Sequence, residues 1–66
     1  MKNRIRAERA ELRMTQQALA EATGVSRQTI NAIETGRFVP STVLALKIAR
    51  VFQTSVERIF QLESDD

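Results

Sequence analysis

Apolar residues recur every three or four positions along this chain, and no stretch alternates apolar and polar with a period of two, so the pattern predicts helices throughout. Ile5 and Leu12 mark the stripe of a first helix over about Asn3 to Arg13. Thr15 is placed to cap a second, about Gln16 to Thr23, which buries Leu19 and Ala20. Gly24 fits the left-handed residue that ends it. Ser26 then caps a third helix, about Arg27 to Thr35, with Ile30 and Ile33 inward. Two short helices separated by about three residues, one of them Gly, make a helix-turn-helix.

Gly36 stops the third helix, and a loop of Arg37, Phe38 and Val39 is closed by Pro40. Ser41 caps a fourth helix, about Thr42 to Phe52. Its apolar arc is wide, with Ala45, Ile48, Ala49 and Phe52 at the centre and Leu44, Val51 and Leu46 at the sides, so this helix is expected at the middle of the bundle. Thr54 and Glu57 suggest a capping box for a fifth, about Ser55 to Leu62, which buries Val56, Ile59 and Phe60. The expectation is therefore an all-α, five-helix domain over residues 1–62, followed by a frayed acidic tail over 63–66.

The chain's 66 residues suit one domain, whose core is small enough to gain from a partner subunit. There is no Cys and no His. Disulfides are excluded, a metal site is not expected, and the commonest catalytic bases and nucleophiles are missing. Ser26 and Ser41 read as caps, and two glycines in separate turns are no phosphate loop. The expectation is a protein with no catalytic activity and no cofactor. No apolar run approaches a membrane span and no signal peptide is apparent, so the chain reads as cytoplasmic. The net charge of +2 conceals an asymmetry: nine of the ten basic residues precede the fifth helix, while Glu63, Asp65 and Asp66 crowd the end. A basic body suits a polyanionic partner. Charge alone leaves an ordinary charged surface equally open.

The stretch from Gln16 to Thr35 carries the function. Packing two helices across a tight turn leaves the second one protruding, and a protruding helix fits the major groove of DNA. With Ile30, Ile33 and Glu34 facing inward, the opposite face carries Gln28, Ala32 and Thr35, flanked by Thr29 and Asn31. Gln28 is long enough to reach base edges, and its amide can bind adenine through two bonds. Thr29 offers a hydroxyl and a methyl, Asn31 an amide, and Ala32 an apolar contact. On an isolated helix these would be only a solvated face. Arg27 at the helix start can reach a phosphate or a guanine edge, and phosphate is the expectation. Arg37, in the following loop, is expected near the backbone of the same site.

The segments T-Q-Q-A-L-A, G-V-S-R-Q-T-I, I-E-T-G-R, P-S and L-K-I-A, in register from about Ile5 to Phe60, resemble the phage-repressor and Cro superfamily of XRE-like regulators. The run S-R-Q-T-I-N beside L-A-L-K-I-A is most similar to compact regulators of the cytolysin-repressor kind. The resemblance implies a lambda-repressor-like domain binding double-stranded DNA. It makes Gln16 a phosphate contact at the start of the second helix, where free backbone N–H groups also point outward. It pairs Arg9 with Glu34 as a structural ion pair; both charges lie on apolar stripes, where each needs a partner. One departure is that only a few polar residues precede the first helix, which argues against an N-terminal strand of the kind some compact relatives use in dimers.

The reading that results is a sequence-specific transcriptional regulator, most simply a repressor. It would bind a near-palindromic operator as a homodimer, through an interface of Val51, Phe60 and Leu62 in the C-terminal region. The alternatives are an antitoxin component or a restriction-modification controller that binds its own promoter.

Overall fold

The computed structural model describes residues 1–66. Five helices follow in order, α1 (Ile5–Leu12), α2 (Gln16–Thr23), α3 (Arg27–Glu34), α4 (Thr42–Val51) and α5 (Val56–Ile59), and two short strands, β1 (Lys2–Asn3) and β2 (Phe60–Gln61), bracket them. The helices share one core of Ile5, Leu19, Ala20, Ile30, Ile33, Leu44, Ile48, Phe52, Ile59 and Phe60. Here α2 packs on both α3 and α4, and α4 reaches on to α5. The middle of the bundle is thus shared between α2 and α4 and is not held by α4 alone.

Four hydroxyls start four helices. Thr15, Ser26, Ser41 and Ser55 each accept from the backbone N–H three residues on, at 3.0, 3.1, 3.1 and 3.2 Å. Each satisfies one of the N–H groups that a helix start leaves without an internal partner. The cap of α5 is therefore Ser55, one residue beyond the capping box expected at Thr54. Gly24 closes α2 at φ +77, and a Cβ there would meet nothing within 4 Å. Glycine is needed at that turn for its backbone conformation alone.

Three corrections concern the ends. The fifth helix was expected to run to Leu62, but it stops at Ile59 and Phe60 turns extended. Ile59 and the extended Phe60 both reach the core, 0% and 7% exposed. The freed backbone pairs with β1, antiparallel, Lys2 opposite Gln61 and Asn3 opposite Phe60, and the Arg4 N–H donates to Ile59 O at 2.8 Å. The N-terminal strand that the short leader argued against is present because two residues suffice for this register. Asn3 anchors it: its Nδ2 donates to Ile33 O at 2.9 Å, and its Oδ1 accepts from the Ile5 N–H at 3.2 Å.

Leu12 is 55% exposed and lies outside the core, whereas Glu8 is 8% exposed on the same helix, with Arg4 Nε at 3.8 Å. The acidic tail folds back instead of fraying. Asp66 Oδ1 and Glu63 Oε1 each lie 3.0 Å from the Met1 ammonium, and Asp66 Oδ2 accepts from the Glu63 N–H at 2.7 Å. These bonds hold the Met1 amine above its ordinary pKa and the Asp66 carboxyl below its own.

Candidate nucleic-acid interface

The inward face of α3 is fixed by Ile30 and Ile33, 0% and 1% exposed. With those two sealed, 3.6-residue periodicity turns the start of the helix outward. Arg27 and Gln28 are exposed, and Thr29, Asn31 and Ala32 are half-buried on the flanks. Gln28 makes no side-chain hydrogen bond within the chain, so both ends of its amide are available. The Thr29 hydroxyl lies 3.0 Å from Ser26 Oγ and belongs partly to the cap.

Arg37 extends this surface past the end of α3. The backbone turns back there, with the N–H groups of Arg37 and Phe38 both donating to Ala32 O at 2.9 and 3.2 Å. The Arg37 Nε donates to Thr35 Oγ1 at 3.3 Å, which holds an otherwise exposed guanidinium beside the helix. At the start of α2, the first-turn N–H groups of Gln16 and Gln17 make no bond within the chain. They are free donors at the N-terminus of α2.

Behind the surface lies a polar cluster. Arg9 Nε donates to Glu34 Oε1 at 2.6 Å and Arg9 Nη2 to Glu34 Oε2 at 3.3 Å. Arg9 Nη1 donates to Met14 O at 2.8 Å. The two side chains are 15% and 5% exposed. Glu34 Oε2 also accepts from Gln16 Nε2 at 2.6 Å, and the same nitrogen donates to Asn31 Oδ1 at 3.2 Å. The structure thus brings Gln16, Asn31, Arg9 and Glu34 into one network spanning α1, α2 and α3. The periodicity placed Gln16 and Asn31 on their helices but gave no sign that they touch. The donor end of the Gln16 side chain, expected to face a phosphate, faces Glu34.

The apolar residues of the C-terminal region separate. Phe60 is 7% exposed and belongs to the core, Val51 packs against that core, and Leu62 is 81% exposed. A larger apolar surface lies on α4 and the loop before it, where Val39 and Val43 join Leu46 at 65%, 63% and 56% exposed. Val39, Leu46, Ala45 and Val56 line an open groove whose floor reaches Phe60. The signal was the width of the apolar arc on α4, too broad for one buried face. No helix is long and apolar enough to cross a membrane.

A helix-turn-helix family model matches residues 5–59. The chain is 46% identical over 66 residues to YgzD, an uncharacterized HTH-type transcriptional regulator of Bacillus subtilis, covering 100% of both chains. It is 50% identical over 66 residues to an uncharacterized HTH-type transcriptional regulator of Methanocaldococcus jannaschii, again covering 100% of both. Among solved structures, it is similar to the P22 c2 repressor in complex with a synthetic operator, with TM-score 0.84, 31% identity and 88% of each chain covered. It is also similar to the restriction-modification controller protein C.AhdI of Aeromonas hydrophila, with TM-score 0.80, 28% identity and 86% of each chain covered.

Proposed function

The chain belongs to the helix-turn-helix family of DNA-binding transcriptional regulators, and we propose from that premise that it is a repressor that binds a near-palindromic operator as a homodimer, with α3 in the major groove. One observation carries this reading. The N-terminal half of α3 presents Gln28 outward with an unengaged amide, on a helix whose opposite face is sealed by Ile30 and Ile33. Such a side chain is free to pair with a base edge, while the rigid turn behind it fixes its approach.

Around it, Arg27, Arg37 and the free N–H groups of Gln16 and Gln17 supply phosphate contacts, which fix register without reading sequence. Thr29, Asn31 and Ala32 border the bases. Repression would act by occupancy: bound protein excludes polymerase or a rival regulator from the same DNA.

The dimer forms through the C-terminal face. Leu62 stays in that interface, Val51 and Phe60 contribute only their remaining edges, and Val39, Val43 and Leu46 enlarge it. A two-fold axis there would set the two recognition helices about 34 Å apart, one turn of B-DNA.

Selection of bound fragments from random DNA tests the proposal. The expected product is an inverted repeat with half-sites one helical turn apart. Recovery of no shared sequence would overturn it. The likeness to C.AhdI supports a second reading, control of a restriction-modification operon, which uses the same interface in a different genetic setting.

A further inference from the structure

The network behind α3 fixes which atoms of Gln16 and Asn31 remain for DNA. A carboxylate only accepts hydrogen bonds, so the end of Gln16 that meets Glu34 Oε2 at 2.6 Å is its NH2 group. The second hydrogen of that group goes to Asn31, 3.2 Å away, and the atom receiving it is the Asn31 carbonyl oxygen. Neither amide can flip without placing two donors or two acceptors face to face. Glu34 is itself held from the other side by the Arg9 guanidinium, through Nε and Nη2.

What remains is the Gln16 Oε1 acceptor, the two N–H donors of Asn31 Nδ2 and one lone pair on Asn31 Oδ1. A phosphate oxygen only accepts, so the Gln16 side chain cannot hold a phosphate in this arrangement, and contact with the backbone falls to its main-chain N–H. A base edge that suits Gln16 Oε1 carries a donor, adenine N6 or cytosine N4. Asn31 Oδ1 already accepts from Gln16, while its Nδ2 is unengaged and donates to purine N7, guanine O6 or thymine O4.

We propose that Glu34 is a positioning residue for sequence recognition: acting through Gln16, it sets the polarity of both amides, so that the pair offers the major groove an acceptor beside a donor. This rests on α3 entering that groove. A carboxylate buried behind the reading surface then governs base preference without touching a base.

The test measures affinity of the full chain for its selected operator and for every single-base variant of one half-site, and compares ratios within each protein. Glu34→Gln supplies an amide that can donate as well as accept, which releases Gln16 from one polarity. Discrimination at one or two base pairs should fall about tenfold, the order of one lost directional contact, with ratios elsewhere unchanged. Asn31→Asp leaves the Arg9–Glu34 pair alone and still accepts from Gln16, but turns an acceptor toward the groove. The preferred base at its position should change to one that presents a donor. In the free protein, the Gln16 side-chain NH2 protons should be protected from solvent exchange in the parent and not in Glu34→Gln. If both variants weaken every duplex by one common factor, the positioning role is overturned and groove recognition stands. If the parent itself selects no sequence, both readings fall.

Discussion

Arg9 and Glu34, 25 residues apart in the chain, close a two-pronged ion pair at 2.6 and 3.3 Å between α1 and the end of α3. Arg9 reaches further, to Met14 O at 2.8 Å, so one guanidinium ties α1, the turn before α2, and the end of α3 together. With side chains only 15% and 5% exposed, neither charge has much access to water if its partner is lost. Arg9→Ala and Glu34→Ala should each destabilise the fold by about 3 kcal/mol, because a buried charge left alone keeps its desolvation cost. Replacing both together by apolar residues of similar volume should cost much less than the sum. Thermal melting of the two single variants and the double variant checks this.

The apolar residues of the C-terminal face divide by burial, and their variants should divide likewise. Phe60 at 7% exposure is core, so Phe60→Ala should cost about 3 kcal/mol of folding stability. Leu46 at 56% exposure is surface, so Leu46→Glu should fold normally, with stability changed by about 0.5 kcal/mol or less. It should nonetheless sediment as a monomer and bind a full operator far more weakly than the parent does. A Leu46→Glu protein that remains dimeric would place the interface elsewhere.

Arg37 is exposed and makes one side-chain bond, to Thr35. If it neutralises a phosphate, Arg37→Ala should weaken operator and scrambled DNA alike. It should also flatten the dependence of log affinity on log salt by about 0.9, one counterion's worth. Titrations at a series of salt concentrations give both numbers. A change confined to the operator would make Arg37 a base contact.

The helical framework was legible in the sequence because it is written locally. Thr15, Ser26 and Ser41 precede apolar repeats of helical period, and Gly24 and Gly36 follow the first two with φ of 77 and 78. The outward face of α3 was legible for the same reason: Ile30 and Ile33 define the inside, and Gln28 is exposed. What was not legible depends on contacts far apart in the chain. The β1–β2 pair joins residues at the two ends, and two-residue strands leave no periodicity to read. Phe60 was expected both in the core and at the dimer interface, and the extended turn after Ile59 puts it in the core. Gln16 reads as a helix-start residue in isolation; only the packing of α2 on α3 brings its amide to Glu34 and Asn31. Sequence could place Gln16 at the start of α2, but not which of its atoms meets Glu34.

The most direct measurement is a titration of Gln28→Ala against operator and scrambled duplexes. Gln28 is exposed and forms no side-chain bond in the chain, so its loss should change stability by no more than about 0.5 kcal/mol. Affinity for the operator should fall by about 1–3 kcal/mol, the range of one two-bond amide contact with a base, while affinity for scrambled DNA stays the same. If the variant binds the operator as tightly as the parent, or loses affinity for both duplexes equally, the outward face of α3 does not read sequence through Gln28.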